Sequence, residues 1–113
     1  MEIQHKTQGD AVVVSLHGEL DGKTAPQAQQ QIVPLIPDAG KMVLDMHDVG
    51  YMSSAGLRMM LLLYRQAVSR DTKIALAGLS EDISDTMSAT GFLDFFVVSD
   101  TVEAGLTRLA EPA

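Results

Sequence analysis

Two adjacent serines are the residues of this chain whose type and position best fit a chemical role. Ser53 and Ser54 follow an apolar stretch and a short loop, and the small residues Ala55 and Gly56 come directly after them. Serine is among the preferred N-cap residues, and such a cap contributes about 1 kcal/mol to helix stability. A hydroxyl at a helix N-terminus can also carry a phosphate, which would face free N–H groups and the positive end of the helix dipole. The pair therefore predicts a helix cap, a phosphorylation site, or both.

A phosphate at this position would alter an interface without unfolding the domain. It adds a charge of about −1.5 to −2. Against one carboxylate about 5 Å away, each unit of that charge costs about 3 kcal/mol at an effective dielectric constant of about 20. Since a thousandfold loss of affinity needs only about 4 kcal/mol, phosphorylation here is sufficient to release a docked protein.

Gly56 is the second unusual feature of this segment. Glycine inside the first turn of a helix costs about 1 kcal/mol relative to alanine, so its presence needs a reason. We expect close approach at this point, either by a neighbouring backbone or by a partner protein.

Other catalytic and metal-binding chemistries find little support in the sequence. Asp45, His47 and Asp48 resemble metal ligands, but they are too close together on an extended segment to converge on one ion. We expect Asp45 to support the loop that carries Ser54. Gly-x-Ser-x-Gly and glycine-rich phosphate loops do not occur, and the chain has no cysteine. We therefore expect no enzymatic activity, no metal and no cofactor.

Charge and hydropathy narrow the class of partner. Fifteen acidic and eight basic residues give the 113-residue chain a net charge of −7. This disfavours nucleic acid and anionic membrane surfaces, both of which attract clustered positive charge. The longest apolar run, residues 59–64, is far shorter than the ~20 residues that span a bilayer, and the N-terminus resembles no signal peptide. We expect a cytoplasmic protein.

The pattern of apolar residues predicts the elements that position the serines. Strands are expected at residues 3–7, 11–16, 41–46, 73–77 and 95–98. Helices are expected to begin at Thr24, which can cap its own helix, at Ser53 or Ser54, at Ser80, and at Thr101, with Asp100 or Thr101 as the cap. They are expected to end at Pro34 or Pro37, near Arg70, at Gly91 and at Leu109. The order is a hairpin followed by alternating helices and strands, which predicts a single α/β domain over residues 1–113 with a mixed sheet.

Four segments of the chain together resemble the STAS domain family, specifically the stand-alone anti-sigma-factor antagonists of bacterial partner-switching systems. They are Gly18-Glu19-Leu20-Asp21, Leu44-Asp45, Met52-Ser53-Ser54-Ala55-Gly56-Leu57 and Ser88-Ala89-Thr90-Gly91-Phe92. The resemblance covers nearly the whole chain. In that family, the unmodified antagonist binds an anti-sigma factor that is also an ATP-binding serine kinase. The kinase phosphorylates a serine at the start of the second helix, the complex separates, and a serine phosphatase resets the antagonist.

The resemblance implies roles for individual residues. Ser54 matches the phosphorylated serine, and Asp21 matches a carboxylate close to it. The family commonly has an aspartate before the acceptor, where this chain has Ser53, so Ser53 is a rival acceptor. Where a second hydroxyl residue often follows the acceptor, this chain has Ala55. From the residues alone, Asp21 is equally well explained as a turn or cap residue.

The residues after Ser54 are candidates for partner binding. Besides Asp21 and Ser53 they are Ala55, Gly56, Leu57 and Arg58. The predicted helix carries more apolar residues than one stripe needs, and Arg58 and Arg65 lie a heptad apart, where they either flank a partner surface or make the exposed side soluble. Two alternative functions stay open: a STAS-like scaffold subunit of a lipid-transport ABC complex that is never phosphorylated, and a small enzyme of unknown type.

Overall fold

Five strands form one mixed sheet in the order β1-β2-β3-β4-β5 in the computed structural model of this chain, which describes residues 1–111. They are β1 (Glu2–Gln8), β2 (Ala11–His17), β3 (Lys41–Asp48), β4 (Lys73–Ala77) and β5 (Val97–Ser99). β1 pairs antiparallel with β2, and the remaining neighbours pair in parallel. The predicted α/β class and N-terminal hairpin are therefore confirmed. Pro112 and Ala113, which the predicted domain includes, lie outside the described residues.

Four α-helices connect or follow the parallel strands. They are α1 (Thr24–Ile32), α2 (Ser54–Ser69), α3 (Glu81–Thr90) and α4 (Val102–Ala110). Ser80, where α3 was expected to begin, and Thr101, one of the two predicted caps of α4, are the N-caps, because each side chain accepts a hydrogen bond from the backbone N–H three residues later. Gly91 ends α3 as predicted, in the left-handed conformation with φ of 79°. None of the helices described in residues 1–111 is long and apolar enough to cross a bilayer.

The last strand begins later than predicted. Residues 95–98 were expected to form it, but Phe92–Phe95 is a 3₁₀ helix and β5 covers Val97–Ser99. The ring of Tyr64 on α2 explains the difference, since it stacks on Phe95 with centroids 5.1 Å apart and meets the edge of Phe96 at 5.6 Å. Aromatic packing against a helix thus overrides the strand preference of phenylalanine.

The two faces of the sheet differ in what covers them. Alternate residues of β2 and β3, such as Val14, Leu16 and Leu44, pack in the main core with residues of α1, α2 and α3. The opposite face packs on α4 through a smaller cluster of Val13, Val43, Ala75, Ala77 and Leu109. Because parallel strands point their carboxyl ends to one edge, the β2–α1 and β3–α2 loops meet there.

Candidate functional site

The loop before α2 is attached to the loop after β2 by backbone hydrogen bonds. The N–H of Leu20 donates to the carbonyl of Tyr51 at 3.0 Å, and the N–H of Ser53 donates to the carbonyl of Leu20 at 2.8 Å. Leu20 and Met52 form an isolated parallel bridge, and both side chains are buried. The two loops therefore act as one unit, which fixes the start of α2.

Gly56 is explained by the same contact. A Cβ at this position would lie 2.8 Å from Cγ of Met52 and 3.0 Å from both the Cβ and the carbonyl oxygen of Leu20. The predicted close approach is confirmed, and the neighbour that approaches is the backbone of Leu20. Any side chain here would push the two loops apart.

Ser53 and Ser54 occupy different positions relative to the helix. Ser53 is the N-cap, with extended backbone (φ −81°, ψ 176°), and its Oγ accepts a hydrogen bond from the N–H of Gly56 at 3.4 Å. Ser54 is the first residue of α2 and is exposed, whereas Ser53 is half-buried. None of the side-chain hydrogen bonds described for residues 1–111 involves the Ser54 hydroxyl. The two serines therefore differ: the hydroxyl of Ser53 caps α2, and Ser54 is exposed to solvent.

Asp21, on the adjoining loop, caps α1. Its Oδ1 accepts hydrogen bonds from the N–H groups of Lys23 at 2.9 Å and Thr24 at 3.0 Å. In return, Thr24 Oγ1 accepts from the N–H of Asp21 at 2.9 Å and donates to the carbonyl of Glu19. The predicted cap at Thr24 is therefore wrong, because the aspartate three residues earlier accepts the free N–H groups and Thr24 completes a reciprocal box.

The hydrogen bonds of Asp21 also affect its protonation. The backbone N–H groups of Thr24 and Lys23 lower the pKa of its carboxyl below the ordinary value of 3.8. The side chain is half-exposed, one residue from the Leu20–Met52 bridge. A negative charge therefore stands at neutral pH beside the loop that carries Ser54, while the role of Asp21 towards a phosphate stays a prediction.

Asp45 does not support the Ser54 loop as expected. Its Oδ1 accepts from the backbone N–H of His47 and lies 2.5 Å from Nδ1 of that ring. Asp48 pairs instead with His17 on β2, with 2.7 Å between Oδ2 and Nδ1. Asp45 and His47, two residues apart on β3, thus contact each other, whereas Asp48 pairs with a different histidine, so the three positions that resembled metal ligands do not converge on one ion. Asp45 raises the pKa of His47 above its ordinary value of 6.5.

The remaining candidates separate into buried and exposed residues. Gly56 and Leu57 are buried, and Leu57 packs in the main core with 8% exposure. Ala55 is half-buried and Arg58 is exposed. Ala55 and Arg58 line an open groove between α1 and α2, together with Met59 and Leu62. The structure therefore brings Ser54, Ala55 and Arg58 to the surface and directs Leu57 inward.

The wall that α1 contributes to this groove was missed in the sequence. It consists of the small or short residues Ala25 and Pro26, with Gln29 at the far end and Gly22 of the preceding loop at the near end. Ala25, Pro26 and Gln29 are spaced as residues of one helix face are, and this spacing was the signal that could have identified it. Because small residues leave room beside the larger side chains of α2, a groove forms where two helices would otherwise close together.

Comparison with known proteins gives a consistent family. The STAS domain matches residues 2–105 of this chain. The anti-sigma-B factor antagonist of Bacillus subtilis is 26% identical over 106 residues, which cover 94% of this chain and 97% of that protein. BtrV of Bordetella bronchiseptica is 30% identical over 95 residues, covering 82% of this chain and 81% of that protein.

Solved structures share the fold. The anti-sigma factor antagonist SpoIIAA in its unphosphorylated form has a TM-score of 0.78 at 20% identity, covering 99% of both chains. Bacillus SpoIIAA in the phosphorylated form has a TM-score of 0.72 at 20% identity, covering 95% of this chain and 98% of that one. With the family match over residues 2–105, the order of elements and the loop-to-loop contact beneath Gly56, these findings show that the chain belongs to the STAS domain family.

Proposed function

We propose that this chain is an anti-sigma factor antagonist that works by partner switching in the cytoplasm. In its unphosphorylated form it binds an anti-sigma factor that is an ATP-binding serine kinase. The kinase transfers the γ-phosphoryl group of ATP to Oγ of Ser54, ADP leaves, the hydroxyl proton is released, and the complex separates. A serine phosphatase restores the hydroxyl. Residues 1–113 act in this scheme as one domain, which catalyses no step itself.

The observation that carries the proposal is the different placement of the two serines. Ser54 is exposed at the first position of α2, so a kinase active site can reach its hydroxyl. Ser53 already caps the helix, so modification of Ser54 leaves the cap in place. Ser54 is therefore the favoured acceptor, and Ser53 is disfavoured because its hydroxyl is half-buried and already accepts a hydrogen bond from the N–H of Gly56.

Tolerance of the fold for a phosphate also supports the proposal. A phosphate on Ser54 would stand at the N-terminus of a 16-residue helix, where the dipole favours negative charge. SpoIIAA matches this chain's fold both in its unphosphorylated and in its phosphorylated form. The modification is thus expected to act on the partner and not on the domain itself.

Repulsion then provides the release. Asp21 is ionised at neutral pH, and the whole chain carries a net charge of −7. A phosphate of charge about −1.5 to −2 added beside it creates a concentrated negative region on the docking face. A partner complementary to the unmodified surface loses affinity in consequence.

Substitutions at Ser54 test the proposal. Binding of the purified kinase is measured by isothermal titration calorimetry for the wild type, Ser54→Ala and Ser54→Asp. We expect Ser54→Ala to bind as the wild type does and to resist release by ATP, and Ser54→Asp to bind at least tenfold more weakly, equal to about 1.4 kcal/mol. Ser88→Asp adds the same charge on the exposed face of α3 and is the matched control.

Two outcomes would contradict the proposal. One is Ser54→Asp binding the kinase as tightly as the unmodified protein does. The other is a partner of a different class: stable association with a transporter ATPase that is indifferent to Ser54→Asp would favour a scaffold subunit instead.

A further inference from the structure

The groove between α1 and α2 has the form of a helix-binding surface. On α2 it is lined by Met59 and Leu62, and on α1 by Ala25 and Pro26. The lining positions of α2 are three, four and seven residues apart and cover about two turns, and those of α1 cover about one turn, extended by Gly22 in the preceding loop. Ala25 and Met59 are buried, so an amphipathic helix laid into this groove would place its apolar side chains chiefly against Pro26 and Leu62.

The charge of the groove specifies its occupant further. Of the charged side chains in residues 1–111, only Arg58 lines it. None of the ion pairs in that part of the chain includes Arg58. In a chain with a net charge of −7, an apolar groove with one available guanidinium favours a helix that carries a carboxylate.

Arg58 is also placed to meet the phosphate. It follows Ser54 by four residues on α2, and both side chains are exposed. Residues four apart on a helix are neighbours, with Cβ atoms about 5–6 Å apart, and the acid-before-base order is the favourable one. Guanidinium binds phosphate through paired, charge-assisted hydrogen bonds.

We propose that Arg58 binds one of two anions, depending on whether Ser54 is phosphorylated. With Ser54 unmodified, Arg58 binds a carboxylate on an amphipathic helix of the partner seated between α1 and α2. With Ser54 phosphorylated, the phosphate binds Arg58, and the partner's carboxylate is left unpaired beside a negative group. This inference rests on the proposed function. It adds a second cause of release to simple repulsion, because the phosphate binds Arg58 in place of the partner's carboxylate.

The phosphate contact is tested in the isolated protein. Phosphoserine is installed at position 54 during synthesis, and its second pKa is followed by ³¹P NMR. With Arg58 present we expect this pKa to lie below the ordinary value of about 6, and Arg58→Gln to raise it towards that value. Arg65→Gln is the matched control, since Arg65 is exposed on the same helix about 16 Å along the axis from Ser54. Identical titrations of the wild type and Arg58→Gln would overturn the inference.

The exchange itself is tested by a double-mutant cycle with the purified kinase. Unmodified Arg58→Gln is expected to bind at least tenfold more weakly than the wild type. Phosphorylation of Ser54 should then weaken binding at least tenfold less in Arg58→Gln than in the wild type, because the two changes remove the same contact. Arg58→Lys, which keeps the charge, should recover part of the loss. Circular dichroism confirms that each variant is folded.

The outcomes separate the two proposals. If the phosphorylated wild type stays bound to the kinase, the proposed function and this inference fall together. If phosphorylation releases the wild type and Arg58→Gln by the same factor, only this inference is overturned. Self-association of the chain that depends on Arg58 would also overturn it, because the occupant of the groove would then be a second copy.

Discussion

At the scale of single residues, Gly56 allows two loops to stay in contact because glycine has no Cβ. A Cβ would lie 2.8 Å from Met52 and 3.0 Å from the carbonyl oxygen of Leu20. The methionine side chain can move, but the carbonyl belongs to the bridge that fixes the loop. We expect Gly56→Ala to destabilise the domain by about 1–2 kcal/mol, because overpacking outweighs the better helix propensity of alanine.

Urea unfolding measures this change, and Gly22→Ala is its control. Nothing lies within 4 Å of a Cβ at Gly22, so that variant should be neutral or slightly stabilising. A Gly56→Ala protein as stable as the wild type would show that the two loops can separate at no cost.

A second prediction at the residue scale concerns His47, which lies 2.5 Å from Asp45. Its ring also packs on Gly78 after β4, where an added Cβ would come within 2.5 Å of it. Because Asp45 raises the pKa of His47 above 6.5 in the folded state, the stabilisation is complete below 6.5 and disappears as the pH rises through the raised value. The urea concentration at the midpoint of unfolding should therefore decrease as the pH is raised from 6 to 8.5.

The matched variants for that pH dependence are Asp45→Asn and His5→Gln. Asp45→Asn should flatten the change, since it removes the partner that raises the pKa of His47. His5→Gln replaces an exposed histidine on β1 and should leave the change as in the wild type. An Asp45→Asn protein that keeps the full pH dependence would refute the assignment to His47.

At the scale of elements, the start of α1 depends on a charged cap. Asp21 accepts from two backbone N–H groups, which lower the pKa of its carboxyl below 3.8. Its contribution is therefore present above the unfolded pKa and is lost as the pH falls through the folded value. We expect Asp21→Asn, which keeps an acceptor for the cap but removes the charge, to be less stable than the wild type at pH 7 and to lose less stability on acidification.

Thermal unfolding between pH 7 and pH 3 checks this prediction. Asp21→Ala, which removes the cap as well as the charge, should have a lower melting temperature across the whole range. If Asp21→Ala has the same melting temperature as the wild type at pH 7, the cap does not stabilise the domain and Asp21 has another role.

At the scale of the whole molecule, the sheet and helices could be predicted because their patterns are local. The hairpin and the mixed sheet followed from turn and crossover rules. Gly56 indicated a close contact, because glycine is costly within a helix. The capping by Asp21 could not be chosen over Thr24, because both are good turn residues and only the backbone path decides between them. The start of β5 and the α1–α2 groove depend on contacts between distant segments, such as Tyr64 with Phe95.

The central claim is that ATP drives release of the kinase through phosphorylation of Ser54. The complex of this chain with the purified kinase is incubated with Mg-ATP and followed by native mass spectrometry, with the modified residue mapped by fragmentation. The account predicts one phosphoryl group on Ser54 and separation of the complex, while Ser54→Ala stays bound. A complex that persists after full phosphorylation, or a phosphate carried by Ser53 in the released protein, would contradict it.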